Sequence, residues 1–333
     1  MLDQGQIPFF SWHHLEELLC IGNDTNARAR IAFIQSLPLI AWMRMPDEEN
    51  GIGAIIDIIA AEAMALDQGC SSAAEVCTTV RGQLLHTGSG EDAIGPDAWV
   101  WESARAFFLQ RRAHLGMVAA LSGFRVLDER QTFGELANQP PRSREDRTRV
   151  LAAIHANALR EVKASDRNRS EDEARAMADA FVARAVAMLP PEDMSSRDLM
   201  TRTYLGQGID PDEIRDDCRI SDLSALGTFR SQLAIVAEKT GLTFDRLKRL
   251  RMELFPSWLI SDAVRQHGQK RKERPGSDVH DHHLLVNAAY VDRVYVDKRT
   301  LEDFRQVRSK APAVAALMGE VTRASHYGKL VVG

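Results

Sequence analysis

The sequence predicts an α/β domain split in two by a mostly helical insertion. Three observations predict it. Residues up to about Ala65 alternate strand-like and helix-like patterns, residues 71–255 carry almost no strand signal, and the alternation resumes near Pro256. The flanking pieces, 1–70 and 256–333, are each small for a domain and together make one of ordinary size. The chain therefore reads as an N-terminal part over 1–70, a helical insertion over 71–255 and a C-terminal part over 256–333 of one α/β domain.

Taken in order, Gln6–Phe10 reads as a strand, with Pro8 tolerated near its start. Ser11 caps a helix over Trp12–Cys20 whose Leu15, Leu18 and Leu19 share a face. A second helix over Asp24–Leu37 turns Ile31 and Ile34 inward and stops at Pro38, and Leu39–Met43 is the next strand. The segment Gly51-Ile-Gly-Ala-Ile-Ile56 lacks the third glycine of a dinucleotide loop. Ile52, Ile55, Ile56, Ile59 and Ala63 instead predict a helix laid on a sheet. Within the insertion, helices are expected over Trp99–Ala120, Glu145–Lys163, Glu171–Leu189 and Leu223–Lys239, and near Phe244–Leu254. Pro140-Pro141 and Pro190-Pro191 mark loops between them. The small apolar residues of the Glu171–Leu189 helix suit helix-on-helix packing or self-association. Ser277 then caps a helix with Leu284, Leu285 and Ala288 as its stripe, Arg293–Asp297 is a strand, and Leu330–Val332 is a final short one.

Hydrophobic content of 44% and charged content of 27% over 333 residues are those of an ordinary globular protein, large enough for a sizeable core. The apolar runs are too short to span a bilayer, and no basic-then-apolar leader opens the sequence, so no membrane partner and a cytoplasmic location are expected. Cys20, Cys70, Cys77 and Cys218 form no Cys-x-x-Cys pair, which argues for free thiols in a reducing compartment. Net charge is −5, but Arg246 to Arg274 holds nine Lys/Arg against three acids, a local +6 that leaves −11 elsewhere. Lys270, Arg271 and Lys272 are its densest part, suited to a phosphate backbone, although charge runs are more often solvated faces.

The chemistry-bearing stretch is Ser277 to Asp297. Asp278 and Asp281 fall in the first turn of a helix, where carboxylates gain from free backbone N–H groups, and Asp297 ends the following strand. In an open α/β sheet, sites lie beyond the carboxyl ends of strands, so these acids are candidate oxygen ligands for a divalent cation. A capped helix and a strand-ending Asp explain the same residues without any ligand.

The N-terminal Ser11-Trp-His-His-Leu-Glu-Glu-Leu-Leu, with the C-terminal Ser277-Asp-x-x-Asp-His-His and Tyr290-Val-Asp-Arg-Val-Tyr-Val-Asp-Lys-Arg, resembles the PIN-like nuclease superfamily at the two ends of the chain. The resemblance implies a three-layer α/β/α domain with a parallel sheet, in which carboxylates hold Mg²⁺ or Mn²⁺ to hydrolyse phosphodiesters. RNA is implied before DNA, in a toxin- or defence-like role, with a homo-oligomer or an antitoxin-like protein as partner. It casts Glu17 (Glu16 less so), Asp278, Asp281 and Asp297 as catalytic metal ligands, Lys298 and Arg299 as phosphate contacts, and His14 and His282 as groups supporting the ligands. The pattern departs in one place: the family's first acid lies on a strand well ahead of the Glu helix, and Asp3 is too close to serve. The chain is thus expected either to lack that strand or to carry a degenerate site. The rivals are an HD-type phosphohydrolase, suggested by His280-Asp281, and a catalytically degenerate scaffold acting as a helical interaction module.

Overall fold

A computed structural model of the chain describes residues 2–20, 22–46, 51–121, 128–139, 144–166, 168–187, 194–269 and 277–323. It is mixed α/β and mostly helical, with short strands in two small sheets. The strand expected at Leu330–Val332 lies outside the described residues. Two compact units divide the chain. The first joins Met1–Ala113, Ile235–Lys270 and Val279–Gly333; the second joins His114–Ala234 and Arg271–Asp278.

The first unit begins with β1 (Phe9–Phe10), α1 (Trp12–Cys20), α2 (Asp24–Gln35) and β2 (Ile40–Met43). There follow α3 (Ile55–Asp67), α4 (Ala73–Leu84), β3 (Leu85–Gly88), α5 (Gly90–Ile94) and α6 (Ala98–Leu121). β2 is buried at all four positions and sits between β1, to which it is parallel, and β3, to which it is antiparallel. A central strand covered on both faces reads as one continuous apolar run, as Ile40-Ala-Trp-Met43 does. Leu15 and Leu19 of α1, Ile31 and Ile34 of α2, Ile40, Trp42 and Phe108 make the core beside this sheet. Two features of this unit go beyond the sequence pattern. Residues 71–255 do contain a strand, β3, whose Leu-His-Thr-Gly sequence has no strand character and is made by pairing with β2. Residues 71–113 and 235–255 lie in the first unit, where α4 turns Val76, Cys77, Val80 and Leu84 inward and packs against α3.

α3 is apolar nearly all round and buried at nine positions, Asp57 and Glu62 included, as a helix covered on every side must be. The chain re-enters this unit through the end of a long helix and two short turns. It then forms α13 (Pro256–His267), α14 (Ser277–Asn287), β4 (Arg293–Tyr295), α15 (Lys298–Lys310), α16 (Pro312–Ala315) and β5 (Glu320–Thr322). Pro256 starts α13 at a first-turn position that needs no N–H. β4 and β5 pair in parallel across α15 and α16, with Val294 opposite Val321. Among the described residues the strands thus form one mixed and one parallel sheet, where a single parallel sheet was expected.

The second unit is helical: α7 (Phe133–Ala137), α8 (Arg144–Ser165), α9 (Glu171–Ala187), α10 (Ser196–Gly206) and the first part of α11 (Ile220–Thr240), with α12 (Phe244–Leu247) following in the first unit. Phe133, Leu136, Tyr204, Ile209, Ile220 and Leu223 form its core. α8 and α9 make a hairpin held by Val162 and Ala174, with Leu159 and Met177 against them. Among the described residues no helix is long and apolar enough to cross a membrane.

Candidate functional site

α1 sets the site. Ser11 precedes it, its backbone N–H donates to Nδ1 of His14 at 3.0 Å, and its Oγ lies 2.9 Å from the same nitrogen. A ring nitrogen that accepts carries no proton, so the His14 tautomer is protonated on Nε2. Burial lowers the His14 pKa to about 4, against an upward pull from Glu17 and with a downward push from His13. His14 is therefore neutral at physiological pH.

One turn of helix separates His13 from Glu16 and Glu17, so all three leave α1 on neighbouring faces. His13 and Glu16 are buried; Glu17 is half-buried. Glu16 Oε2 lies 3.8 Å from His13 Nδ1, and its Oε1 lies 3.2 Å from Nε of Arg111 on α6. The imidazole of His13 stacks on that of His283 in α14, with centroids 4.3 Å apart and planes 28° apart. Two segments separated by most of the chain thus meet ring to ring.

The acids are distributed less simply. Asp281 is half-buried and stands two residues before His283, about 160° round the helix at 3.6 residues per turn. It shares a face with the fully buried Leu285, one turn on. His283 and the buried Asn287 make the face towards α1. His282 is exposed. Asp297 is exposed and caps α15, its Oδ1 accepting the Thr300 N–H at 2.7 Å. Lys298 and Arg299, cast as phosphate contacts, are the exposed first residues of that helix. The side chain of Asp278, and Lys270, Arg271 and Lys272 entirely, lie outside the described residues. Among the described residues no group of three or more His, Cys, Asp or Glu side chains is placed to hold a metal ion.

The described part of the basic run is largely matched by acids: Arg246 meets Asp67, Lys248 meets Asp245, Arg251 meets Glu253 and Arg265 meets Asp262. All four cysteines are free. Sequence reasoning passed over Arg111, which nothing in α6 distinguishes from its arginine neighbours. It also passed over Glu62, although an acid inside an all-apolar helix is itself a signal of a buried polar contact. Comparison with protein-family models, with curated proteins and with solved structures finds no match for this chain.

Proposed function

We propose that the chain is a metal-dependent nuclease with a PIN-like arrangement, acting on RNA in preference to DNA. The observation that carries this reading is the His13–His283 stack, which brings α1, the helix that bears Glu17, against α14. Two parallel strand pairs joined by helical crossovers, β1 with β2 and β4 with β5, agree with it. The donor set fits Mg²⁺ or Mn²⁺ in kind, being carboxylate oxygen throughout. Glu17, Asp281 and Asp297 would hold the ion. The ion would lower the pKa of a bound water and offset charge developing on the phosphoryl oxygens. Glu16, buried against Arg111 and His13, holds α1 in place instead of binding the ion.

The full-length protein should cut labelled single-stranded RNA when Mg²⁺ or Mn²⁺ is added and stop when EDTA is added. Asp281→Asn and Glu17→Gln should each slow cleavage by about two orders of magnitude or more, as expected on losing a ligand to a hard cation. Absence of metal-dependent cleavage of both RNA and single-stranded DNA, or cleavage unchanged in these variants, overturns the reading. A specific observation favours the second reading, a catalytically degenerate scaffold: Asp297 already caps α15 and Glu16 already meets Arg111. On that reading RNA binds without cleavage, and binding falls steeply with salt.

A further inference from the structure

Glu62 lies at the centre of α3 with no exposed surface. Ser257 at the start of α13 gives its backbone N–H to Oε1 at 2.9 Å and places its Oγ 2.6 Å from Oε2. The hydroxyl of Tyr290, just past α14 and itself fully buried, meets Oε1. From α4 the buried thiol of Cys77 faces the same carboxyl group. One side chain of α3 thus joins two segments 195 and 228 residues further along the chain.

We propose that Glu62 is a proton-linked clamp that fastens α3 to the start of α13 and to Tyr290, tight when the carboxyl group holds a proton and loosened when it is ionised. The inference goes beyond the nuclease reading and holds whether or not any acid of this chain binds a metal. Its basis is the surroundings. Three segments close around Glu62, and among the described residues the titratable groups they present to it are Tyr290 and Cys77. Both resist ionising: Cys77 is pushed up to about 12 and Tyr290 well above its ordinary 10, in each case by burial first and by Glu62 second. Among the described residues no cation acts on Glu62, so its charge would enter an apolar interior balanced by hydrogen bonds alone. A protonated carboxyl group loses nothing there, because its O–H can donate to Ser257 Oγ or to Tyr290 Oη. Burial outweighs the Ser257 and Tyr290 hydrogen bonds and raises the Glu62 pKa from 4.5 to about 7.

The sign follows from linkage. Below pH 4.5 Glu62 holds its proton whether the clamp is closed or open. Between 4.5 and about 7 only the closed form keeps it, so opening becomes easier by roughly tenfold per pH unit. Above about 7 both forms are ionised and the effect levels off.

Cys77 reports on the clamp from inside it. Iodoacetamide labelling of the intact protein, with Cys77 resolved from the other three thiols by mass spectrometry, measures opening multiplied by thiolate reactivity. The thiolate fraction by itself gives roughly one decade in rate per pH unit. Cys77 labelling should therefore rise about two decades per unit between pH 4.5 and about 7, and about one from there to the ordinary thiol pKa of roughly 8.5. Glu62→Gln can keep all three contacts, since its amide N–H donates to Ser257 Oγ, and it should show one decade throughout. Tyr290→Phe removes a donor to the carboxylate and should move the break to higher pH. A wild-type slope of one decade across the whole range overturns the clamp, and so does a break near pH 7 that survives in Glu62→Gln. Should Glu62→Gln fail to fold, an unmoved break in Tyr290→Phe overturns it.

Discussion

Glu16 and Arg111 show how a single pair decides what α1 can do. The carboxylate is fully buried and the guanidinium half-exposed, so Arg111 draws a charge inward that burial alone would expel. Replacing Arg111 by Met should cost about 1–3 kcal/mol in urea unfolding, because Glu16 stays behind without its guanidinium. The double variant Glu16→Gln/Arg111→Met should recover part of that loss; simple additivity would show that the pair does not interact. His14 makes a separate prediction. Its folded pKa of about 4 lies below the ordinary 6.5, so its contribution to stability is present above pH 6.5 and disappears as pH falls towards 4. NMR should show the His14 ring neutral down to about pH 5, and a midpoint near 6.5 would show that Ser11 and burial do not act as described. His14 and Glu62 push global stability in opposite directions over nearly the same pH range, so each needs its own local probe, the imidazole resonances for His14 and Cys77 for Glu62.

At the scale of elements, caps and close approaches fix where helices begin and how near they pack. Asp297 caps α15, so Asp297→Ala should lose about 1 kcal/mol whether or not the residue binds metal. Asp297→Ser keeps a cap. A serine variant as stable as the parent but inactive in RNA cleavage would assign Asp297 to the chemistry, and full activity would confine it to the helix. The contact between α5 and α2 is tighter. The Gly90 N–H donates to Leu37 O at 2.9 Å, and a Cβ on Gly90 would fall 1.7 Å from Ile34 O. Gly90→Ala must push α5 off the end of α2, and a loss of about 2 kcal/mol or more is expected by thermal denaturation. An unchanged midpoint would mean that the two helices separate freely. Asp57 joins local and distant contacts: it accepts the Ala54 N–H at 2.7 Å, closing the start of α3, and meets Lys239 Nζ at 2.6 Å.

At the scale of the whole molecule, the first unit is assembled from three stretches of chain, and its C-terminal stretch supplies His283, Tyr290, β4, β5 and α15. Removing residues 279–333 strips Glu62 of Tyr290 and His13 of His283. The near-UV circular dichroism from Trp12 and Trp42 should collapse, while a helical far-UV signal persists. A native near-UV spectrum in the truncated protein would show that the N-terminal stretch packs without its partner.

Periodicity alone made most of the helices legible, because an apolar stripe every three to four residues is a local property. It also placed β1 and β2. β3 was not legible, since Leu85-His-Thr-Gly88 becomes a strand only through the hydrogen bonds that β2 offers it. Nor were the limits of the units: α4 carries the same kind of stripe as any helix, and only its partner α3 shows where it belongs. The acids divide in the same way. Position at a helix start and a strand end marked Asp281 and Asp297 as candidates, and the resemblance at the chain ends added Glu16 and Glu17, but tertiary contacts gave Glu16 to Arg111 and Asp297 to its own helix. They also turned the His283 side of α14, not the Asp281 side, towards α1. What the sequence by itself determined is the local grammar of helices, caps and charge. Which buried charge meets which partner was decided by contacts spanning up to 228 residues, and no pattern confined to one segment encodes them.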